Sequence, residues 1–271
     1  MSRLWNDRIE IALAPQRIAL VRRRRFTDKL IESKTLPCLP GEPATPWQGA
    51  LDVLRRAVSE PLWQHAGAQV VLSNHFIRYA VVARPPAVRA AAEQVALVKH
   101  RFNATFGAMA QNWVIRTSQN GRESVLAAAV DQALIDGLRD SLGVGGVRIT
   151  SMQPLLMAAF NRLRNHIGQQ ALWYVLLEPG KVCIAGVRDG IWLATDTQRC
   201  GGNVIAELPR MIEQTALSHD VDLDSKKVIV DAPHLATLTL PRRRRWQFVD
   251  AKTLQRRRER SPVSVMKMAL G

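Results

Sequence analysis

The chain has 271 residues, 47% of them hydrophobic, and a formal net charge of +15. That length suits one large domain or two small ones, and no apolar run reaches the roughly 18 residues that a membrane-spanning helix needs. Ahead of residue 9 there is no apolar segment with a small-residue cleavage site, so no secretory signal is expected and the chain reads as soluble and intracellular.

Arg8–Leu13 is the first predicted strand, with Ile9, Ile11 and Leu13 alternating. After the turn Ala14-Pro15-Gln16 comes a second, Arg17–Arg24, and residues 27–36 can make a third. Loop residues fill 37–46, and Thr45-Pro46 reads as an N-cap with proline at the first helical position. Helix 46–60 carries Leu51, Leu54 and Val58 on one face. Gln69–Ser73 closes this stretch as a strand.

Residues 75–153 have a different character. His75–Arg84 reads as a strand ended by Pro85-Pro86, and Pro86–Ala110 carries a long helical pattern. Trp113–Thr117 and Ser124–Val130 suggest a hairpin around Asn120-Gly121. Asp131 can cap a helix through about Leu142, and Gly143, Gly145 and Gly146 break it. Val147–Met152 follows as a strand, and Pro154 starts a helix to about His166.

The opening pattern then returns. Strands Leu172–Leu177 and Val182–Val187 flank the turn Glu178-Pro179-Gly180-Lys181, and Asp189-Gly190 turns into a third, Ile191–Thr195. A loop with Gly201-Gly202 leads to helix 203–217, and Val228–Val230 closes the copy. Beyond about 232, Leu235–Leu240 and Trp246–Val249 are candidate edge strands, and 251–271 reads as a basic, mobile tail. The expected fold is therefore α/β, two βββαβ units with an α+β insertion at about 75–153. The expected domains are 1–165, which includes that insertion, and 166–250.

This plan resembles the actin-like ATPase superfamily, whose halves have a ribonuclease H-like core. More narrowly it is similar to the PilM-like proteins of type IV pilus assembly and to the cytoplasmic domain of the general secretion pathway L protein. The likeness rests on the doubled unit, on the insertion, and on Leu126-Ala-Ala-Ala-Val-Asp131 followed by Val147-Arg-Ile-Thr-Ser-Met-Gln-Pro154. It implies a nucleotide site bordered by two hairpin turns and by a glycine-bearing segment after the last strand of the second copy. In working relatives the first turn carries an acid and glycine, the second carries Asp-x-Gly, and the third segment has adjacent glycines. Here they are Ala14-Pro15-Gln16, Glu178-Pro179-Gly180-Lys181 and Asp231-Ala232-Pro233-His234. Proline removes a backbone donor that a phosphate would use. A nucleotide-degenerate scaffold without a catalytic residue is thus expected, with neither ATP nor Mg²⁺ as a cofactor; if nucleotide does bind, Glu178, Gly180 and Lys181 are its candidate contacts.

The resemblance also implies a groove for a short peptide from a membrane partner, bordered here by 75–84 and 112–130, with Arg78, Tyr79, Trp113 and Arg116 as candidates. A cytoplasmic location, open to a peripheral position at the inner membrane, goes with that reading. Two alternatives stand beside it. One is an active ATPase or sugar-kinase-like phosphotransferase using Asp7, Glu10, Glu178 or Asp231. The other is a basic nucleic-acid-associated protein.

Basicity is concentrated late: residues 226–271 hold 12 Lys+Arg against 3 Asp+Glu. Arg22–Arg25, Arg242-Arg243-Arg244-Arg245 and Arg256-Arg257-Arg258 can each meet phosphates, on anionic inner-leaflet lipid or on nucleic acid. No helix-turn-helix or zinc-finger spacing supports sequence-specific DNA reading. Cys38, Cys183 and Cys200 lack a CxxC pair, and the six histidines show no metal spacing, so neither a disulfide framework nor a metal site is expected. Walker A and GxSxG patterns are missing as well.

Overall fold

The computed structural model describes residues 7–24, 26–88, 90–118, 123–241, 245–254 and 262–271. Its first strands are β1 (Asp7–Leu13), β2 (Arg17–Arg24) and β3 (Leu30–Pro37), followed by helix α1 (Gln48–Ser59) and strand β4 (Gly67–Leu72). Next come β5 (Ile77–Ala83), α2 (Ala91–Phe106), β6 (Trp113–Thr117) and β7 (Ser124–Asp131). The chain continues through α3 (Gln132–Gly143), β8 (Arg148–Pro154) and α4 (Leu155–Ile167). The second copy is β9 (Leu172–Glu178), β10 (Lys181–Arg188), β11 (Ile191–Arg199), α5 (Val204–Ser218) and β12 (Lys227–Asp231). After it stand β13 (Gln247–Asp250), α6 (Ala251–Leu254) and α7 (Pro262–Leu270).

The duplication holds strand for strand. One five-stranded sheet has the order β3-β2-β1-β4-β8 and the other β11-β10-β9-β12-β13. In each, the first three strands form an antiparallel meander and the fourth and fifth run parallel to the first. β1 is buried from Ile9 to Leu13 and β9 throughout, so both central strands are covered on both faces and read as continuous apolar runs.

The chain divides into two compact units. The first comprises residues 7–77, 131–158 and 262–271. In it α1 packs beside α3, and Gly137 permits this closeness, because a Cβ there would stand 2.6 Å from a methyl of Leu51. α7 lies against β1, β2 and β4. The second unit comprises residues 78–130 and 159–254. On one face of its large sheet Trp173, Val175, Leu177, Val182, Ile184 and Ala194 pack with Leu208, Met211 and Ile212 of α5. A smaller sheet of order β5-β7-β6 has its own core of Val82, Val98, Phe102, Val125, Ala127 and Ala129.

Several expectations need correction. The insertion is shorter than 75–153: β8 is the fifth strand of the first large sheet, paired parallel to β4 from Gly67↔Arg148 to Leu72↔Pro154. It also clusters with the second half instead of the first, with the Ser124 hydroxyl donating to the Trp192 carbonyl at 2.5 Å. Residues 262–271, expected to be mobile, form α7, which buries Val265, Met266 and Ala269, a spacing that makes one apolar face. Trp246–Val249 is an edge strand in the form of β13, whereas 235–240 has no strand. α1 begins at Gln48 with Trp47 at its N-cap, so Thr45 is not the cap. Residues 107–112 wind as a 3-10 turn after the glycine at position 107, whose φ is +62°. The Asn120-Gly121 turn lies outside the described residues.

Candidate functional site

At the first turn the backbone bonds inward. Ala14 N–H donates to the Arg17 carbonyl at 3.0 Å, and the Gln16 carbonyl accepts from Cys38 N–H at 2.7 Å. Pro15 has no N–H to offer. The acids of β1 stand away from this turn, with Asp7 at the other end of the strand opposite Arg24, and are engaged in ion pairs. Asp7 meets Arg22 at 2.8 Å. Glu10, 5% exposed, meets Arg8 at 2.6 Å and Arg23 at 3.5 Å.

The second turn is a two-residue hairpin, Pro179-Gly180, between Glu178 and Lys181. Gly180 has φ +76°, the left-handed geometry that follows proline in a type II turn and that glycine adopts without a Cβ penalty. Its carbonyl accepts from Cys200 N–H at 3.1 Å. Strand register places Glu178 opposite Lys181 and Lys181 opposite Arg199, so the three side chains form one row across β9, β10 and β11. Glu178 is buried, Lys181 half-buried and Arg199 exposed. Arg78 on β5 joins this group electrostatically. Burial lowers the Lys181 ammonium below its ordinary pKa and the Arg78 charge adds to that effect. Arg78 keeps contact with solvent, yet partial desolvation lowers its pKa too, and Arg199 contributes. The structure thus brings together one expected partner residue, Arg78, and the expected turn residues Glu178 and Lys181. Sequence reading missed Arg199. Its signal becomes readable only once the β10–β11 pairing is drawn.

At the end of β12, Asp231 is 1% exposed and is held from two sides. Arg162 of α4 donates to its Oδ2 at 2.6 Å, and the buried Tyr174 hydroxyl donates to the same oxygen at 2.9 Å. Burial and then the neighbouring Asp231 charge push the Tyr174 phenol well above its ordinary value, so it stays protonated as a donor. Arg162 gave no signal in the sequence, since a cation on a helix reads as surface. Three residues further on, burial lowers the His234 imidazole and Lys252 adds to this, against a hydrogen bond to the Leu177 carbonyl that raises it.

The remaining expected residues disperse. Arg78 and Tyr79 are consecutive on β5 and so project to opposite faces. Trp113 and Arg116 sit on β6, with β7 between them and β5. Trp113 packs edge-on against Phe106 at 5.1 Å and Phe102 at 6.3 Å, an anchor of the small core, while Arg116 is exposed. Arg245 pairs with Glu213 at 3.0 Å and lies 5.6 Å from the Trp246 ring centre. Arg242, Arg243, Arg244, Arg256, Arg257 and Arg258 lie outside the described residues. Burial pushes the Cys38 thiol up to about 11 and Cys183 to about 12. Among the described residues no group of three His, Cys, Asp or Glu is placed to hold a metal ion, and no helix is long and apolar enough to cross a membrane.

No protein-family model and no curated protein matches the chain. Solved structures do. The cytoplasmic domain of EpsL, an inner membrane component of the type II secretion system of Vibrio cholerae, is similar over 92% of both chains, with a TM-score of 0.57 and 14% identity. A Bacteroides thetaiotaomicron protein of unknown function with the actin-like ATPase fold matches over 84% of this chain and 82% of its own, at TM-score 0.53 and 10% identity. The PilM-PilN type IV pilus biogenesis complex supplies a third match, covering 79% of this chain and 66% of that one, at TM-score 0.53 and 16% identity. The chain has the actin-like ATPase fold.

Proposed function

We propose that the chain is an actin-like scaffold that binds a protein of a type II secretion-like or type IV pilus assembly machine, at the cytoplasmic side of the inner membrane, without using ATP. The observation that carries this reading is the match to the EpsL cytoplasmic domain over 92% of both chains, so that the likeness extends through both sheets and the insertion. The PilM-PilN complex supports a protein partner as the mode of action. Three of the four acids that could serve a nucleotide also support it: Asp7, Glu10 and Asp231 are tied to Arg22, to Arg8 and Arg23, and to Arg162. An acid held in such pairs would have to give up a partner before it could reach Mg²⁺.

Two measurements test the two halves of this reading. Titration calorimetry with Mg-ATP is expected to give no heat, and micromolar binding abolished by Glu178→Gln would overturn the nucleotide-free half. In-cell crosslinking followed by mass spectrometry is expected to recover an inner-membrane secretion or pilus component. Recovery of abundant cytosolic proteins alone would overturn the partner half.

A further inference from the structure

We propose that β3 is a self-association edge, through which two copies of the chain pair antiparallel about a two-fold axis at Ser33.

Among the described residues β3 has a neighbouring strand on one side only, β2, and ends the order of the first large sheet. Backbone groups along an antiparallel ladder point alternately toward and away from the partner strand. The Cys38 N–H donates at 2.7 Å to the Gln16 carbonyl, just ahead of β2. In the β2–β3 register, Leu36, Lys34 and Glu32 then bond inward as well, and Ser33 and Thr35 direct their N–H and C=O groups outward. The Ser33 N–H fits this placement, since its acceptor is the Glu32 carboxylate of its own strand at 2.9 Å. The regular edge is bounded by Pro37, which lacks a donor, and by a register shift between Arg22 and Arg23 of β2. An edge of this kind is a template for another strand.

The side chains select the occupant. Outward groups can bond only to outward groups. An axis at Ser33 satisfies this, and the Ser33 N–H passes to the second copy's Ser33 carbonyl. It also sets Glu32 opposite the second copy's Lys34, and Lys34 opposite its Glu32. These two side chains share one face of the strand and fall at the closer, non-hydrogen-bonded kind of pair. Moving the axis to Glu32 or to Lys34 also suits the backbone, but it opposes two glutamates or two lysines, which is destabilising. Lys34 meets Glu60 of its own chain at 2.7 Å, an exposed pair of little worth that leaves the ammonium able to face a second carboxylate. The same pairing brings the Leu30–Ile31 end of one strand to the Leu36–Leu39 end of the other. Leu30, Ile31 and Leu39 are 50%, 38% and 82% exposed in the single chain.

The test is sedimentation equilibrium of the whole chain at about 0.15 M salt, where long-range repulsion is screened. Micromolar self-association is expected, and a monomer at every concentration up to about 300 µM would overturn the proposal. Glu32→Lys and Lys34→Glu each oppose like charges at both symmetric positions, and each is expected to weaken association about tenfold. They move the net charge in opposite directions, so general repulsion would instead weaken one dimer and strengthen the other. Combining the two substitutions restores opposite charges and the original net charge, and should return association to within about threefold of the wild type. Opposite effects of the single variants, or no recovery in the double variant, would overturn the proposal. Disulfide formation checks the axis. In Ser33→Cys the two Cα atoms would stand about 5.5 Å apart, within reach of a disulfide. In Thr35→Cys they would be displaced by about 14 Å along the strands. Crosslinking above the wild-type level is expected for the first variant alone, and equal yields would overturn the register. Circular dichroism checks that each variant folds.

Discussion

Removing Arg162 should expose how much the second unit depends on one buried carboxylate. Asp231 is 1% exposed and accepts from Arg162 at 2.6 Å and from Tyr174 at 2.9 Å, both on Oδ2. In Arg162→Met a similar volume remains, but the carboxylate keeps only the phenol. Stranding a buried charge costs about 3–5 kcal/mol. The Arg162 side chain is 12% exposed, so some water reaches the pair and the lower end, about 3 kcal/mol, applies. Adding Asp231→Asn removes the second charge while leaving an amide oxygen for Tyr174. The double variant should therefore recover roughly 1–2 kcal/mol relative to Arg162→Met alone, the coupling expected of groups in direct contact. Urea unfolding of the wild type, both single variants and the double variant completes the cycle. An Arg162→Met loss under about 1 kcal/mol, or a double variant less stable than Arg162→Met, would refute the reasoning.

Two further outcomes follow from local geometry. A Cβ on Gly145 would stand 2.3 Å from the Val58 carbonyl oxygen, whereas one on Gly143 meets nothing within 4 Å. Gly145→Ala should thus cost about 1–3 kcal/mol and Gly143→Ala close to nothing in thermal unfolding, and equal midpoints would contradict the close approach. Burial keeps the folded pKa of His234 below its unfolded value near 6.5. The unfolded chain then binds a proton that the folded chain resists, so stability is complete above about pH 6.5 and is lost as pH falls through the folded pKa. His234→Gln should flatten that acid-side slope in urea midpoints, and parallel slopes for variant and wild type would show that His234 does not set it.

Much of the fold was readable because its core strands are local and strongly apolar. Ile9–Leu13 and Leu172–Leu177 announce central strands by their composition, and the Pro179-Gly180 and Asp189-Gly190 turns fix their hairpin partners within a few residues. The role of β8 was not readable. Its partner β4 lies about 80 residues earlier, and a parallel pairing leaves no turn signature between the strands. The α7 helix was missed for a related reason: its apolar face is short, and only the sheet it covers shows that Val265, Met266 and Ala269 are buried. For the candidate site, Glu178, Lys181 and Arg78 could be named separately, but nothing in their spacing joins Arg78 to the other two.

The sequence by itself determined the doubled βββαβ plan and the proline-bearing turns, because both are written in alternation and turn chemistry over a few residues. Only the tertiary structure decided how charges 18 and 69 residues apart meet. It sets Arg199 beside Lys181 and Arg162 on Asp231, and it assigns the insertion to the second unit. Backbone propensity acts between neighbours in the chain. Ion pairing and burial act between neighbours in space, and strand register is what converts one into the other.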